Sequence, residues 1–136
     1  MQKGWDHAYV QGSISKPVIL GLITALVVGI VAPLLVPHIA HPSMIYHIIL
    51  HMAGLTVAIF LSIVSVLAYS RNRTIRMLLM TVGFMSLALV EFLYLLQAGA
   101  IPIGQIVIPT VNIELSHLIL LMMVSLFGLG VLKVNK

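Results

Sequence analysis

The sequence predicts an all-α polytopic membrane protein, an antiparallel bundle of four transmembrane helices with both termini in the cytoplasm. Three observations carry this expectation. Of 136 residues, 61% are hydrophobic and only 7% are charged, with a mean hydropathy of +1.19. A soluble domain of that composition lacks the polar atoms to cover itself, so lipid is the expected solvent. Four apolar runs of about twenty residues or more each match the ~30 Å hydrocarbon core at 1.5 Å per residue. The seven Lys and Arg residues all fall on one side once the chain crosses four times, which places that side in the cytoplasm by the positive-inside rule.

The elements follow in order within a single transmembrane domain covering residues 1–136. The polar stretch 1–16, with Lys3, Asp6, His7 and Lys16, leads into a first span at about 17–36. That span is too long for a signal-peptide core and lacks a small-residue cleavage site, so it is expected to be retained. The second span is expected at about 44–69, the third at 75–97 and the fourth at 113–132, with Ser43, Asn72 or Thr74, and Asn112 as N-caps. The connection Ser70-Arg71-Asn72-Arg73-Thr74-Ile75-Arg76 is short and basic, and Lys133 and Lys136 follow the last span.

On the opposite face lie Pro37-His38-Ile39-Ala40-His41-Pro42-Ser43 and an uncharged apolar loop at 98–112. Prolines and glycines keep the latter from forming a long helix, leaving a hairpin or an interfacial loop. Its backbone polar groups must be covered by protein, either its own bundle or another membrane subunit docking through the loop and helix faces. Gly21, Ala25, Gly29 and Ala32 in the first span, with Gly128 and Gly130 in the fourth, are expected to permit close helix contact.

Composition also excludes chemistry. With no cysteine, the chain forms no disulfide, thiolate-ligated zinc site, cysteine-bound iron–sulfur cluster or cysteine-type blue copper centre. The net charge of +4 is placed as a membrane-orientation signal, so lipid rather than nucleic acid is the expected partner. No phosphate loop, nucleotide fingerprint or nucleophile–base constellation is visible, and no catalytic residue is assigned.

What remains is a set of ionisable residues at one depth. His47 and His51 lie four apart near the start of the second span, and Glu114 and His117 three apart near the start of the fourth. Glu91 lies six residues before Gln97, the expected end of the third span, ~9 Å along its axis. All five belong to the outer leaflet within ~10 Å of depth, and inward faces bring them together. Ionisable groups in hydrocarbon are expensive and mark ion, proton, cofactor or ligand sites.

Imidazoles suit copper, zinc and iron, with carboxylates ligating or orienting them, so a transition-metal site of His47, His51, Glu91, Glu114 and His117 is expected, copper first and zinc or iron next. A single Glu-x-x-His is too little for a di-iron site. The alternative cofactor is haem b, with His51 and His117 as axial ligands. His38 and His41 extend the histidine set into the outer loop, and Tyr46 and Tyr94 lie at similar depth.

Plainer roles stand beside these. Glu114 in a first helical turn stabilises the helix dipole anyway, and His38 or His47 alone reads as an interfacial residue. His7 reads as a solvated tail residue. The eight Met residues, including Met77, Met80, Met85, Met122 and Met123, read as core filler. Glu91 is the exception: a lone acid within a span costs ~2.5–3.5 kcal/mol on insertion scales and requires a partner. A proton or ion conduit ranks last, because the cytoplasmic half offers only Ser62, Ser65, Thr81 and Ser125.

The stretch Val66-Leu67-Ala68-Tyr69-Ser70-Arg71-Asn72-Arg73-Thr74-Ile75-Arg76-Met77-Leu78-Leu79-Met80-Thr81-Val82-Gly83-Phe84 resembles small uncharacterised archaeal four-helix integral membrane proteins. In them a basic turn leads into a helix with a Gly-Phe pair, and the resemblance implies a four-helix fold without an assigned activity. In size and character the chain is also similar to the small accessory subunits of archaeal ammonia monooxygenase, a copper membrane enzyme, which implies a copper context. The expected function is a small plasma-membrane subunit of a larger redox or metalloenzyme complex, not catalytic on its own, that carries the outer-leaflet site. The competing expectation is a purely structural accessory subunit with no bound metal.

Overall fold

Proline and a hydroxyl cap set most of the helix boundaries. A computed structural model describes residues 15–39, 41–99, 106–110 and 112–132, apart from the side chain of His38. Helix α1 (Lys16–Leu35) opens with Pro17 in its first turn, where a missing N–H leaves no bond unmade. Pro33 lies within its last turn, and the chain leaves through a 3-10 turn, Val36–His38, containing Pro37. Helix α2 (Pro42–Arg71) opens with a proline in the same way. Helix α3 (Ile75–Ala98) is capped by Thr74, whose hydroxyl accepts from the Met77 N–H at 3.3 Å.

The described end of the apolar loop forms a hairpin with the residues that follow it. Strand β1 (Val107–Ile108) pairs antiparallel with β2 (Ile113–Glu114), Val107 opposite Glu114 and Ile108 opposite Ile113. Asn112, at φ 50°, turns the chain in the left-handed region that asparagine tolerates, and its N–H donates to the Ile108 carbonyl at 2.9 Å. The hairpin feeds directly into α4 (Leu115–Leu132), with the Leu115 N–H bonded to the Ile106 carbonyl at 2.9 Å.

Three local expectations are corrected. The α2 N-cap is His41, with no side-chain cap bond, because Pro42 rather than Ser43 begins the helix. Asn112 serves as the hairpin turn and does not cap α4. Glu114 is paired in β2 and stands before the fourth helix, which begins at Leu115 rather than 113. The other span ends fall within two residues of expectation.

Each helix packs chiefly on its neighbour in sequence: α2 on α3 most extensively, then α3 on α4, then α1 on α2. One apolar core joins Ile23, Val27, Val31 and Leu35 of α1 to Ile48 and Leu55 of α2 and Leu95 of α3. A second joins Val90 and Leu93 of α3 to Ile119 of α4. The four-residue recurrence on α1 is one helical stripe. Beside it Leu22, Leu26, Ile30 and Leu34 stay exposed, so the apolar surface continues round the helix onto the lipid side. All four helices are long and apolar enough to cross a membrane, and the chain is a multi-pass membrane protein.

Of the small residues expected to permit close helix contact, Gly21, Gly29 and Gly128 meet no neighbour, while the buried Gly130 packs on α3. A side chain added at Gly21, Gly29 or Gly128 would meet open space, and at Gly130 only ordinary contacts. The tight contacts are at Gly54, Gly83 and Gly99. At Gly83 a Cβ would stand 2.6 Å from the ring of Phe127, which also meets Phe84 edge-on with centroids 5.1 Å apart. Gly83→Ala is therefore expected to destabilise the α3–α4 contact by ~1–3 kcal/mol, an overpacking penalty. Thermal unfolding in mild detergent reads this; an unchanged midpoint would contradict the contact.

Candidate functional site

Helix periodicity sets the first pair of site residues and helix packing adds the third. His47 and His51 are one helical turn apart, so their rings stack along one face of α2. The two Nε2 atoms are 3.2 Å apart and the rings meet edge-on, with centroids 4.6 Å apart. Across the α2–α3 contact, Glu91 Oε2 lies 2.7 Å from His51 Nδ1. The side chains of His51 and Glu91 are only 14% and 20% exposed, whereas His47 is exposed. Tyr94, one turn beyond Glu91 on α3, lies against the His51 ring with centroids 5.1 Å apart.

Gly54 makes this arrangement possible. The Glu91 carboxyl rests on the α2 backbone at that position: a Cβ there would stand 2.8 Å from its carbon and 2.9 Å from both oxygens. Any larger residue would displace the acid from His51.

With Glu91 as a carboxylate, which only accepts, His51 Nδ1 is the donor of this contact. This fixes the ring and leaves Nε2 facing His47. Such a carboxylate–imidazole pair is the usual arrangement behind a metal-bound histidine. Two imidazole nitrogens bound to one tetrahedral ion at ~2.0–2.1 Å stand ~3.3 Å apart, so the 3.2 Å separation fits one edge of a metal site. The same separation also fits an N–H···N hydrogen bond.

Depth agrees with a site at the membrane boundary. Helix α2 has 30 residues, ~45 Å, about 15 Å more than the hydrocarbon core. Tyr46 and Tyr69 stand ~35 Å apart along it, the spacing of two aromatic belts. With Tyr46 in such a belt, His47 would lie at belt level and His51 one turn deeper.

Of the five residues expected to converge, the structure brings together His47, His51 and Glu91. Glu114 and His117 pair with each other instead, Oε2 to Nδ1 at 3.4 Å, at 39% and 61% exposure; the Ser116 hydroxyl donates to the same oxygen at 3.4 Å. α2 and α4 make at most marginal contact, each packing on α3. His51 and His117, the axial pair considered for haem, are thus each engaged with an acid of their own. Among the described residues, no three His, Asp or Glu side chains are grouped to hold one ion. His41 is exposed at the start of α2, and the position of the His38 side chain lies outside what is described.

Two contributors escaped the sequence. Met44 lines a cleft of about 290 Å³ together with Ser43, His47 and Ala98, which places a thioether beside the exposed imidazole. Its three-residue spacing from His47 was the available signal. Gly54 was legible only as a small residue, because its role depends on a carboxyl from another helix.

The hydroxyls of the other half turn inward on their own helices. Ser62, Thr81 and Ser125 donate to carbonyls four residues back, and Ser65 to the Ser62 carbonyl three residues back. Comparison with protein families, with curated proteins and with solved structures finds no match.

Proposed function

We propose that this protein is a small integral subunit of a larger membrane redox or metalloenzyme complex, and that His47 and His51 bind a transition-metal ion, copper first and zinc or iron next. The observation that carries the reading is the His51 ring, held from behind by Glu91 at 2.7 Å with its free nitrogen 3.2 Å from that of His47. Copper is favoured by Met44 in the cleft beside His47, since thioether and imidazole together suit Cu(I). With two imidazoles in hand, the remaining ligands come from Met44, from water or from a neighbouring subunit. Glu114 and His117 form a second, more exposed pair at the same end, where the 106–114 hairpin offers a docking surface. On this reading the described residues supply a binding site, and the reaction is that of the assembled complex.

Elemental analysis of protein purified in mild detergent tests this: about one copper or zinc per chain is expected, and none after His47→Ala with His51→Ala. Metal-free wild-type protein that takes up no added copper would contradict it and favour the second reading, a structural accessory subunit. The 2.7 Å contact between His51 and Glu91 supports that alternative as well, because it ties α2 to α3 by a hydrogen bond without any ion.

The basic residues Arg71, Arg73 and Arg76 in and around the α2–α3 turn, with Lys16 at the start of α1, support cytoplasmic termini in the plasma membrane. The chain has no cysteine, so single cysteines give a clean assay. One at position 73 should resist an impermeant maleimide in intact cells and one at 110 should react. The reverse pattern would invert the orientation.

A further inference from the structure

We propose that the groove between α2 and α3 beside this pair binds a lipid-soluble molecule with a hydroxyl head, which donates its hydrogen bond to the second carboxylate oxygen of Glu91. The groove has a volume of about 500 Å³ and is walled by Leu50, Ala53, Gly54 and Val57 of α2 and Leu87 of α3, with His51 and Glu91 as its polar lining. That size lies within the range of small-molecule sites, and an apolar wall with a few convergent polar groups is their usual composition.

Glu91 Oε2 is engaged by His51, while Oε1 accepts no hydrogen bond among the described residues. No unpartnered side-chain oxygen among them is fully buried, so Oε1 is partly open, and Glu91 lines this groove. The groove in turn opens between exposed Leu50 and Val57 on the apolar surface of the spans. An acceptor facing hydrocarbon has no water to satisfy it, and leaving it unpaired is expensive.

A ligand head supplies the missing donor. A hydroxyl fits better than an ammonium, because an ammonium must be stripped of its water to enter an apolar groove, a cost that its attraction to the carboxylate need not repay, whereas a neutral donor carries no charge to desolvate. The oxygen concerned takes no part in the His47–His51 ion site, so the inference stands or falls independently of metal binding.

The test uses the full chain in lipid nanodiscs with a chelator present. The probe is 1-hexadecanol carrying a diazirine near its hydroxyl, with adducts mapped at Leu50, Ala53, Val57 and Leu87 rather than at the acid. The expected result is labelling of those residues that excess hexadecanol suppresses and hexadecane does not. Glu91→Leu should weaken it about tenfold, the worth of one hydrogen bond to a charged group. Glu91→Gln, which keeps an acceptor oxygen, should retain most of it. Labelling elsewhere, equal suppression by hexadecane, undiminished labelling of Glu91→Leu, or stronger suppression by hexadecylamine than by hexadecanol would overturn the proposal.

Discussion

Replacing His51 with alanine is expected to abolish ion binding and to loosen the α2–α3 contact in the same stroke. The side chain provides one of the two nitrogens 3.2 Å apart and the partner of Glu91 at 2.7 Å. Losing a partner behind the ligands typically lowers metal affinity 10–100-fold, and losing a ligand itself costs more. The stranded acid adds a second effect, because an unpaired carboxylate within a span costs ~2.5–3.5 kcal/mol on insertion scales. His47→Ala separates the two. His47 is exposed, and it is His51 that holds Glu91, so loss of His47 should remove the ion and leave the unfolding midpoint near that of the wild type. Competition with a copper chelator reads the first quantity and thermal unfolding the second. Retained tight binding in His51→Ala would refute the assignment.

Gly54→Ala is expected to lower metal affinity about 10–100-fold without touching a ligand. A Cβ at position 54 would stand 2.8–2.9 Å from all three carboxyl atoms of Glu91. Either the helices part or the acid moves, and the acid is the cheaper response: it is the free end of a flexible side chain, whereas α2–α3 is the largest helix contact in the fold. The carboxylate therefore swings away from His51, which loses its fixed tautomer and orientation. The displaced acid also carries the cost of an unpaired carboxylate within a span, so the unfolding midpoint should fall together with the affinity, whereas Gly83→Ala strikes only the Phe127 ring and leaves the affinity unchanged. An affinity equal to wild type would show that Glu91 does not position His51.

The two glycines also show what a sequence read alone can convey. Long apolar runs and the placement of seven basic residues made the four helices legible, because hydropathy and charge are properties of the chain itself. So was the His47–His51 pair, since a four-residue spacing on one helix guarantees proximity. Partners on different helices depend on rotation and on which helices touch. Glu91 meets His51 because α2 packs on α3, while Glu114 and His117 stay apart from them because α3 stands between α2 and α4. Inward-facing convergence of all five assumed a bundle in which every helix meets every other. Small residues misled for the same reason: Gly21 and Gly29 look like Gly54 and Gly83 in sequence, yet only the latter two face a neighbouring helix. At the start of the fourth helix, turn chemistry prevailed. Asn112 in the left-handed region closes a hairpin, and that pairs Glu114 in a strand where an N-terminal helical turn was expected.

The imidazole pair of α2 is best tested by X-ray absorption at the copper edge on protein loaded with one equivalent of the ion. Two imidazole nitrogens at ~2.0 Å are expected, with their multiple-scattering signature lost in the His47→Ala, His51→Ala double variant. A shell of light scatterers without imidazole, or a spectrum unchanged by the double substitution, would contradict the account.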